Sequence, residues 1–381
     1  MTPVTLSDRL KKANWLLLFV ALLLTGIGIA TISTATEGRT VNWGWQQTQW
    51  AFVAAAATLL VLMVPYRRFM EAAYVFYALA LVGLVLVLFK GSGKSASRWI
   101  EIGAFRMQPS EFAKLAVVIT LAGYLRYQNS HKRLTGLALP FALTLVPVAL
   151  VMKQPDLGTA LLLVPVLFVL LYVAGANVRH LTLVATAGIV AGLLLYLVPG
   201  LMQPYQKRRV DAFLTLGRET KADALLRKDQ DHQLVQGRIA VGSGGWFGAP
   251  EDEGGVSEAI AFLPERHSDF IFPVFAATWG LLGVTGLFLL YFLFLASLLW
   301  TAVGVREPSG RLLIVGVFTL FAVQVVVNLA MTVGLLPVVG VPLPFLSYGG
   351  SSLLASFLAL GLALNAGIDP PPEFGREEGE A

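Results

Sequence analysis

The sequence predicts an all-α polytopic membrane protein: ten transmembrane helices, with a large extracytoplasmic loop between the seventh and eighth. Three observations carry this. Of 381 residues, 56% are hydrophobic and only 13% charged. The mean hydropathy of +0.72 lies well outside the range of soluble globular proteins. Largely apolar runs of about 17 to 25 residues, the length that crosses a hydrocarbon core, recur along the chain.

Those runs fall near 13–35, 46–64, 72–89, 110–127, 134–152, 157–175, 180–200, 270–300, 310–333 and 350–366. The first, from Trp15 to Ile32, is of spanning length and lacks a small-residue cleavage site, so it is expected to remain as a helix rather than act as a signal peptide. Orientation follows from the short loops. Twelve basic residues lie on one side: Arg9, Lys11, Lys12, Arg67, Arg68, Arg126, Lys132, Arg133, Arg179, Arg306, Arg311 and Arg376. Six lie on the other: Arg39, Lys90, Lys94, Arg98, Arg106 and Lys153. The positive-inside rule then places both termini, 1–12 and 367–381, in the cytoplasm with the membrane domain 13–366 between them. The net charge of +5 belongs to these loops, so no nucleic-acid partner is indicated. With no cysteine, disulfides and thiolate metal sites are excluded.

The connection 201–269 is too long for a passive link. Its first part sets Val210, Phe213 and Leu214 at helical spacing opposite many charges, the pattern of an interfacial helix. Its second part, "GRIAVGSGGWFGAPEDEGG", reads as a glycine-rich turn region without the Gly-Lys-Ser/Thr ending of a phosphate loop. A second irregular element, "GLLPVVGVPLPFLSYGGSS" at 334–352, lies between two apolar spans. Irregular backbone at membrane depth survives only when buried in protein or lining a wet cavity, so a cavity is expected on the outer side.

Polar residues gather at the outer helix ends. Pro109 suits a first helical turn, and it places Glu111 and Lys114 three residues apart on one face, as an ion pair that either locks helix packing or serves a site. Trp99, beside Arg98, reads as an interfacial aromatic or a substrate contact. Lys153, Gln154 and Asp156 form a further polar corner, in which Asp156 can sit at a helix N-terminus. Asp269 opens the eighth span after Ser268, a plausible N-cap. His232 and His267 lack the spacing of a zinc site. Convergence of such groups beside an apolar cavity suggests an amphiphilic substrate, with cations for an anionic head and apolar walls for a lipid tail.

Four stretches, "RWIEIGAFRMQPSEFAKLAVV", "KQPDLGTALLL", "FLPERHSDFIF" and "NLAMTVGLLPVVGVPLPFLSYGGSS", closely resemble the SEDS family (shape, elongation, division and sporulation proteins), and within it the elongation members. The resemblance implies a peptidoglycan glycosyltransferase that polymerises lipid II at the outer face of the cytoplasmic membrane, with undecaprenyl pyrophosphate as leaving group, during elongation and shape maintenance. It implies Asp269 as the catalytic carboxylate and matches Trp99, Glu111 and Lys114 to residues of the family's motifs; beside them, Arg98, Lys153, Gln154, His267 and Ser351 are the further substrate-binding candidates. A class B penicillin-binding protein and other elongation-complex membrane proteins are the implied partners. A divalent cation, Mg or Mn, at the pyrophosphate would be chemically reasonable. No metal ligand set can be read, because where the family commonly carries two acidic residues this chain has Ala276, Ala277, Thr278 and Trp279. Two other readings of the same cavity are a lipid II flippase and a non-catalytic scaffold for the penicillin-binding protein.

Overall fold

The structure is a computed structural model describing residues 13–37, 41–90, 98–102, 105–126, 133–198, 206–207, 210–211, 230–249, 256, 260–261 and 263–368. Each of the ten expected segments holds a helix. They are α1 (Trp15–Ala35), α2 (Trp43–Met63), α4 (Ala73–Lys90), α5 (Pro109–Leu125), α6 (Ala138–Lys153), α7 (Leu157–Val173), α8 (Val178–Leu197), α10 (Ile271–Gly304), α11 (Pro308–Thr332) and α12 (Gly350–Ile368). Six helices among the described residues are long and apolar enough to cross a membrane, and two shorter apolar ones accompany them, as in a multi-pass membrane protein. Polar residues dilute the remaining two: Gln46, Gln47 and Gln49 in α2, and Glu111 and Lys114 in α5.

Three elements went unforeseen: a short helix α3 (Tyr66–Glu71), a hairpin of β1 (Ile100–Ile102) and β2 (Phe105–Met107), and α9 (Gln230–Ser243) in the long loop. The first seven residues of the supposed glycine-rich turn region, 237–243, are thus helical. Leu234 and Ala240 of α9 are buried, and that packing overrides the low helix propensity of Gly237 and Gly242. The interfacial helix expected around Phe213 and Leu214 lies outside the described residues.

Helices α5, α11 and α12 form the centre, and α8 lies at the rim with Leu181 its one buried residue. Helix starts follow local chemistry. Asn14, Asn42, Asp156 and Asn177 accept from the first-turn amides of α1, α2, α7 and α8, while Pro109 and Pro308 open α5 and α11.

The eighth expected span, 270–300, is not one continuous helix. Gly280 has φ 61° and ψ −165°, and breaks α10 into 271–279 and 281–304. Phe272 and Phe288 stack at 6.0 Å although sixteen residues separate them. A straight helix would put them about 24 Å apart at about 1.5 Å per residue. The halves therefore fold sharply onto one another, at a residue able to adopt a positive φ without a Cβ clash.

Between α11 and α12, residues 334–349 are non-helical and largely buried. Phe345, 2% exposed, is clasped by Phe294, Phe321 and Phe357 at 5.2 to 5.4 Å, which holds the irregular segment deep among the helices. Gly28 of α1 lets the Phe345 and Leu346 carbonyls approach where a side chain would collide.

The other end of the bundle holds a polar cluster that the short loops did not announce, because its members are some 240 residues apart in sequence. The Tyr66 hydroxyl donates to Glu307, Arg67 donates to the same carboxylate at 3.1 and 3.2 Å, and Ser309 donates at 2.8 Å. Burial, reinforced by Glu307, pushes the Tyr66 phenol up to about 12. Burial alone would raise the Glu307 carboxyl, but the hydrogen bonds from Tyr66 and Ser309 and the charge of Arg67 outweigh it and hold the carboxyl below 4.5. Stability drawn from Glu307 is therefore full above pH 4.5, its unfolded value, and is lost as pH falls through its lower folded value. Tyr66→Phe removes a buried donor to a carboxylate and is expected to cost about 1 to 3 kcal/mol in thermal unfolding at neutral pH. An unchanged unfolding midpoint would show that this cluster does not hold α3 to α11.

Candidate functional site

Two polar centres form at the end of the bundle opposite the Glu307 cluster. The first surrounds Asp269. Its loop does not begin as the sequence suggested: Ser268 does not cap the helix, which starts at Ile271 without a side-chain cap, and its hydroxyl turns back to Glu265 at 3.0 Å. Three consecutive carbonyls of the loop are each held by a different donor. His267 O accepts from Tyr348 N at 2.9 Å, Ser268 O from Ser347 Oγ at 2.8 Å, and Asp269 O from Asn328 Nδ2 at 3.0 Å. Asn328 is fully buried, also donates to Val341 O at 2.6 Å, and thereby ties the Asp269 loop to the irregular segment. Ser347 closes the link by accepting from Leu343 N at 2.8 Å.

The Asp269 carboxylate lies against Gly340, whose Cβ, if present, would stand 3.1 Å from Oδ2. Gly340 has φ 73°, so a larger residue there would be both strained and in the way. His267 stands in an aromatic cluster, 5.0 Å from Trp43 and 5.7 Å from Tyr348. The start of α2 supports it: Gln46 accepts from the Tyr348 hydroxyl at 2.7 Å, and Gln47 bonds both Ser347 O and Gly349 N. Asn328, Ser347, Gln46 and Gln47 were not singled out from the sequence. The available signal was amides placed in otherwise apolar helices, where burial demands a partner.

The second centre is built on α5, α7 and α12. Asp156, 2% exposed, caps α7 through Thr159 N, and also accepts from Thr159 Oγ1 at 2.9 Å, Ser110 Oγ at 3.2 Å and Gln108 Nε2 at 3.2 Å. Ser351 is buried, bridging Gln108 N and Arg106 O at 3.1 Å each, which fixes the end of the hairpin to α12. Gln154 is buried as well, donating to Leu84 O at 2.9 Å, and Arg98 donates to the carbonyls of Gln154 and Pro155. Gln154 and Ser351 are thus committed to the backbone and shape the site instead of presenting free polar atoms. Lys153 is exposed at the end of α6, and Trp99 is half-buried where the hairpin begins. Across the hairpin, Arg106 and Glu101 pair at 3.1 Å in an exposed position, where such a bridge contributes little.

Glu111 and Lys114 meet as expected from their spacing, with Nζ 2.8 Å from Oε2 and both side chains at most 5% exposed. Below them an apolar groove of about 290 Å³ runs between α4, α5 and α12, from Met107, Pro109 and Gly83 down to Phe69, Val61 and Leu362. Its walls are hydrocarbon and aromatic. Among the described residues no three His, Asp or Glu side chains gather closely enough to hold a metal ion, and no step is assigned to one.

Comparison with known proteins places these elements in context. The family model described as cell cycle protein, for FtsW, RodA and SpoVE, matches residues 11–369. A probable peptidoglycan glycosyltransferase FtsW of Trichlorobacter lovleyi is 33% identical over 97% of this chain and 97% of its own length. The peptidoglycan glycosyltransferase MrdB of Escherichia coli K12 is 33% identical over 92% of this chain and 91% of its own, and the stage V sporulation protein E of Bacillus subtilis is 32% identical over 94% and 98%. Among solved structures, a chain from a study of polymerization and crosslinking by a peptidoglycan synthase complex superposes with TM-score 0.79 at 32% identity, covering 93% of this chain and 97% of that one. The rod shape determining protein RodA of Thermus thermophilus superposes with TM-score 0.68 at 30% identity, over 93% and 96%.

Two measurements test this geometry. In Asn328→Leu the buried carbonyl of Val341 and the half-buried one of Asp269 lose their donor, the former at about 1 to 3 kcal/mol; a lower unfolding midpoint is expected, and an unaltered one would mean the loop is held without it. For the buried pair, Glu111→Gln or Lys114→Met alone leaves an uncompensated charge, costing about 3 to 5 kcal/mol. The double variant should recover most of that stability, whereas additive losses in the cycle would show that the two do not interact.

Proposed function

The chain belongs to the SEDS family of cell cycle proteins, and from that premise we propose that it is a peptidoglycan glycosyltransferase polymerising lipid II, with Asp269 as the carboxylate that accepts the proton of the attacking sugar hydroxyl. The attacking oxygen forms a bond to the anomeric carbon of the second lipid-linked chain. The bond from that carbon to the pyrophosphate oxygen breaks, and undecaprenyl pyrophosphate leaves with the electron pair. Membership brings the activity; the observation that supports Asp269 is the triple clasp on its loop. A base works when its carboxylate is held in one place relative to the reacting atoms, and a main chain pinned at residues 267, 268 and 269 contributes to that.

The remaining residues take parts consistent with their surroundings. Lys114 supplies positive charge toward the leaving pyrophosphate, Glu111 holds it in place, and Lys153 adds an exposed cation at the rim. Arg98 and Trp99 begin the hairpin that borders the site, and His267 offers an imidazole beside Trp43. The groove lined by Phe76, Leu79, Phe112 and Leu358 suits a stretch of polyprenyl chain, since it presents only apolar surface. The partner proposed is a class B penicillin-binding protein. In support, the structural relative described above comes from a complex in which polymerization and crosslinking are coordinated. The site faces the outside of the cell in this reading, with both termini cytoplasmic, and the protein acts in elongation.

Asp269→Asn retains the backbone carbonyl that Asn328 holds, so folding should be unchanged while the rate of glycan polymer formation from purified lipid II falls by about 10² to 10⁴. Polymer made at the normal rate by this variant would remove Asp269 from the chemistry. If lipid II instead crossed vesicle bilayers with no polymer from the unaltered protein, the flippase reading would replace this one.

A further inference from the structure

We propose that α9 and the turn that follows it form a re-entrant element whose tip, Trp246 and Phe247, is embedded in the outer leaflet of the lipid bilayer. The long loop, so read, is not a wholly aqueous domain. The proposal starts from the break in α10. Residues 281–304 make 24 helical residues, about 36 Å at about 1.5 Å per residue, enough to cross an apolar core of about 30 Å unaided. Gly280 therefore lies within about 6 Å of the level at which that core ends on the outer side. The turn 244–248 docks at this level.

Backbone hydrogen bonds show how closely it docks. Leu281 N donates to Gly245 O at 2.9 Å, Leu282 N to Trp246 O at 3.2 Å, and Ala249 N to Ala277 O at 2.8 Å. The amides that open the second half of α10 have no carbonyl of their own helix to use, and the turn supplies it. Gly244 and Gly248 permit this contact, because a Cβ on either would strike the carbonyl of Ala276 or Thr278. Irregular backbone satisfied in this way is what membrane depth permits.

The outward side of the element has the chemistry of a lipid-facing surface. From Ile239 to Ala249 the chain carries no charge. Phe247 is 82% exposed and Trp246 65% exposed. They continue the exposed apolar face of α10 made by Trp279, Leu281 and Leu282, which a spanning helix turns to lipid. Aromatic rings concentrate where hydrocarbon meets headgroups, and three rings lie here together. Fixed at this level, the turn also sets the position of 271–279, which folds back along 281–289, and with it that of the Asp269 loop.

The chain has no cysteine, so single cysteines report unambiguously. Phe247→Cys carrying bimane, in nanodiscs of phosphatidylethanolamine and phosphatidylglycerol, should emit at shorter wavelength than Glu265→Cys with the same label. It should be quenched several-fold more by lipids bearing a nitroxide near the headgroup than by aqueous iodide, and Glu265→Cys should show the reverse. Both positions are exposed, so an unchanged unfolding midpoint is expected for each. Iodide quenching at 247 equal to that at 265 would place the tip in water and overturn the proposal. Shielding from both quenchers would overturn it too, by showing that protein covers the tip.

Discussion

A carbonyl group inside a membrane protein has no water to turn to, and three successive carbonyls lead to the carboxylate proposed as the base. Each finds a donor on a different support: a main-chain amide at Tyr348, a hydroxyl at Ser347, and the amide of Asn328. The irregular segment 334–349 is tolerable for the same reason, since Asn328, Ser347 and Gln47 satisfy its backbone in turn. One requirement, pairing buried backbone, thus fixes the loop, the segment and the start of α2 relative to each other. The rigidity of the site follows without any dedicated reinforcement.

The same requirement governs the charged groups beneath. Glu111 and Lys114 sit almost out of solvent at 2.8 Å, and Asp156 accepts four hydrogen bonds while capping α7. A buried ion pair stabilises little against an apolar alternative, so its presence in α5 is better explained by what a cation does beside a pyrophosphate than by helix packing. The Asp156 network is different. All of its partners are protein groups, and it joins α5 to α7, with Gln108 linking onward to Ser351 of α12. It stiffens the frame on which the pair is mounted.

What could be read from the sequence follows from range. Apolar runs placed a helix at each of ten positions, since hydrophobicity over about 20 residues is a local property. Glu111 and Lys114 were legible as a pair because three residues on a helix always share a face. Asn328, Ser347 and Gln47 were not, since each gains its meaning from a partner 4 to 300 residues away. The break at Gly280 was hidden in a different manner: a glycine within an apolar span looks like any other. What opens the helix there is the docked turn 244–248, and no periodicity in 270–300 reports it. Ser268 misled for a related reason, as a hydroxyl before a helix resembles a cap until its loop is seen folding back to Glu265.

The two ends of the bundle solve opposite problems with one set of materials. At the Glu307 end, Tyr66, Arg67 and Ser309 all spend their donors on a single carboxylate, and Asn14 spends its amide on Ser297 and Thr301. These groups serve to hold helices together. At the Asp269 end, several side-chain donors go to backbone carbonyls: Arg98 to two, Asn328 to two, Gln154 to one. Pinning main chain with side-chain amides and guanidinium fixes the backbone that carries the Asp269 carboxylate and the His267 imidazole. A glycosyl transfer between two lipid-held chains needs that arrangement, because both reactants are tethered in the plane of the bilayer and cannot adjust their height to a mobile base. Precision in the enzyme's backbone must therefore substitute for freedom in the substrate.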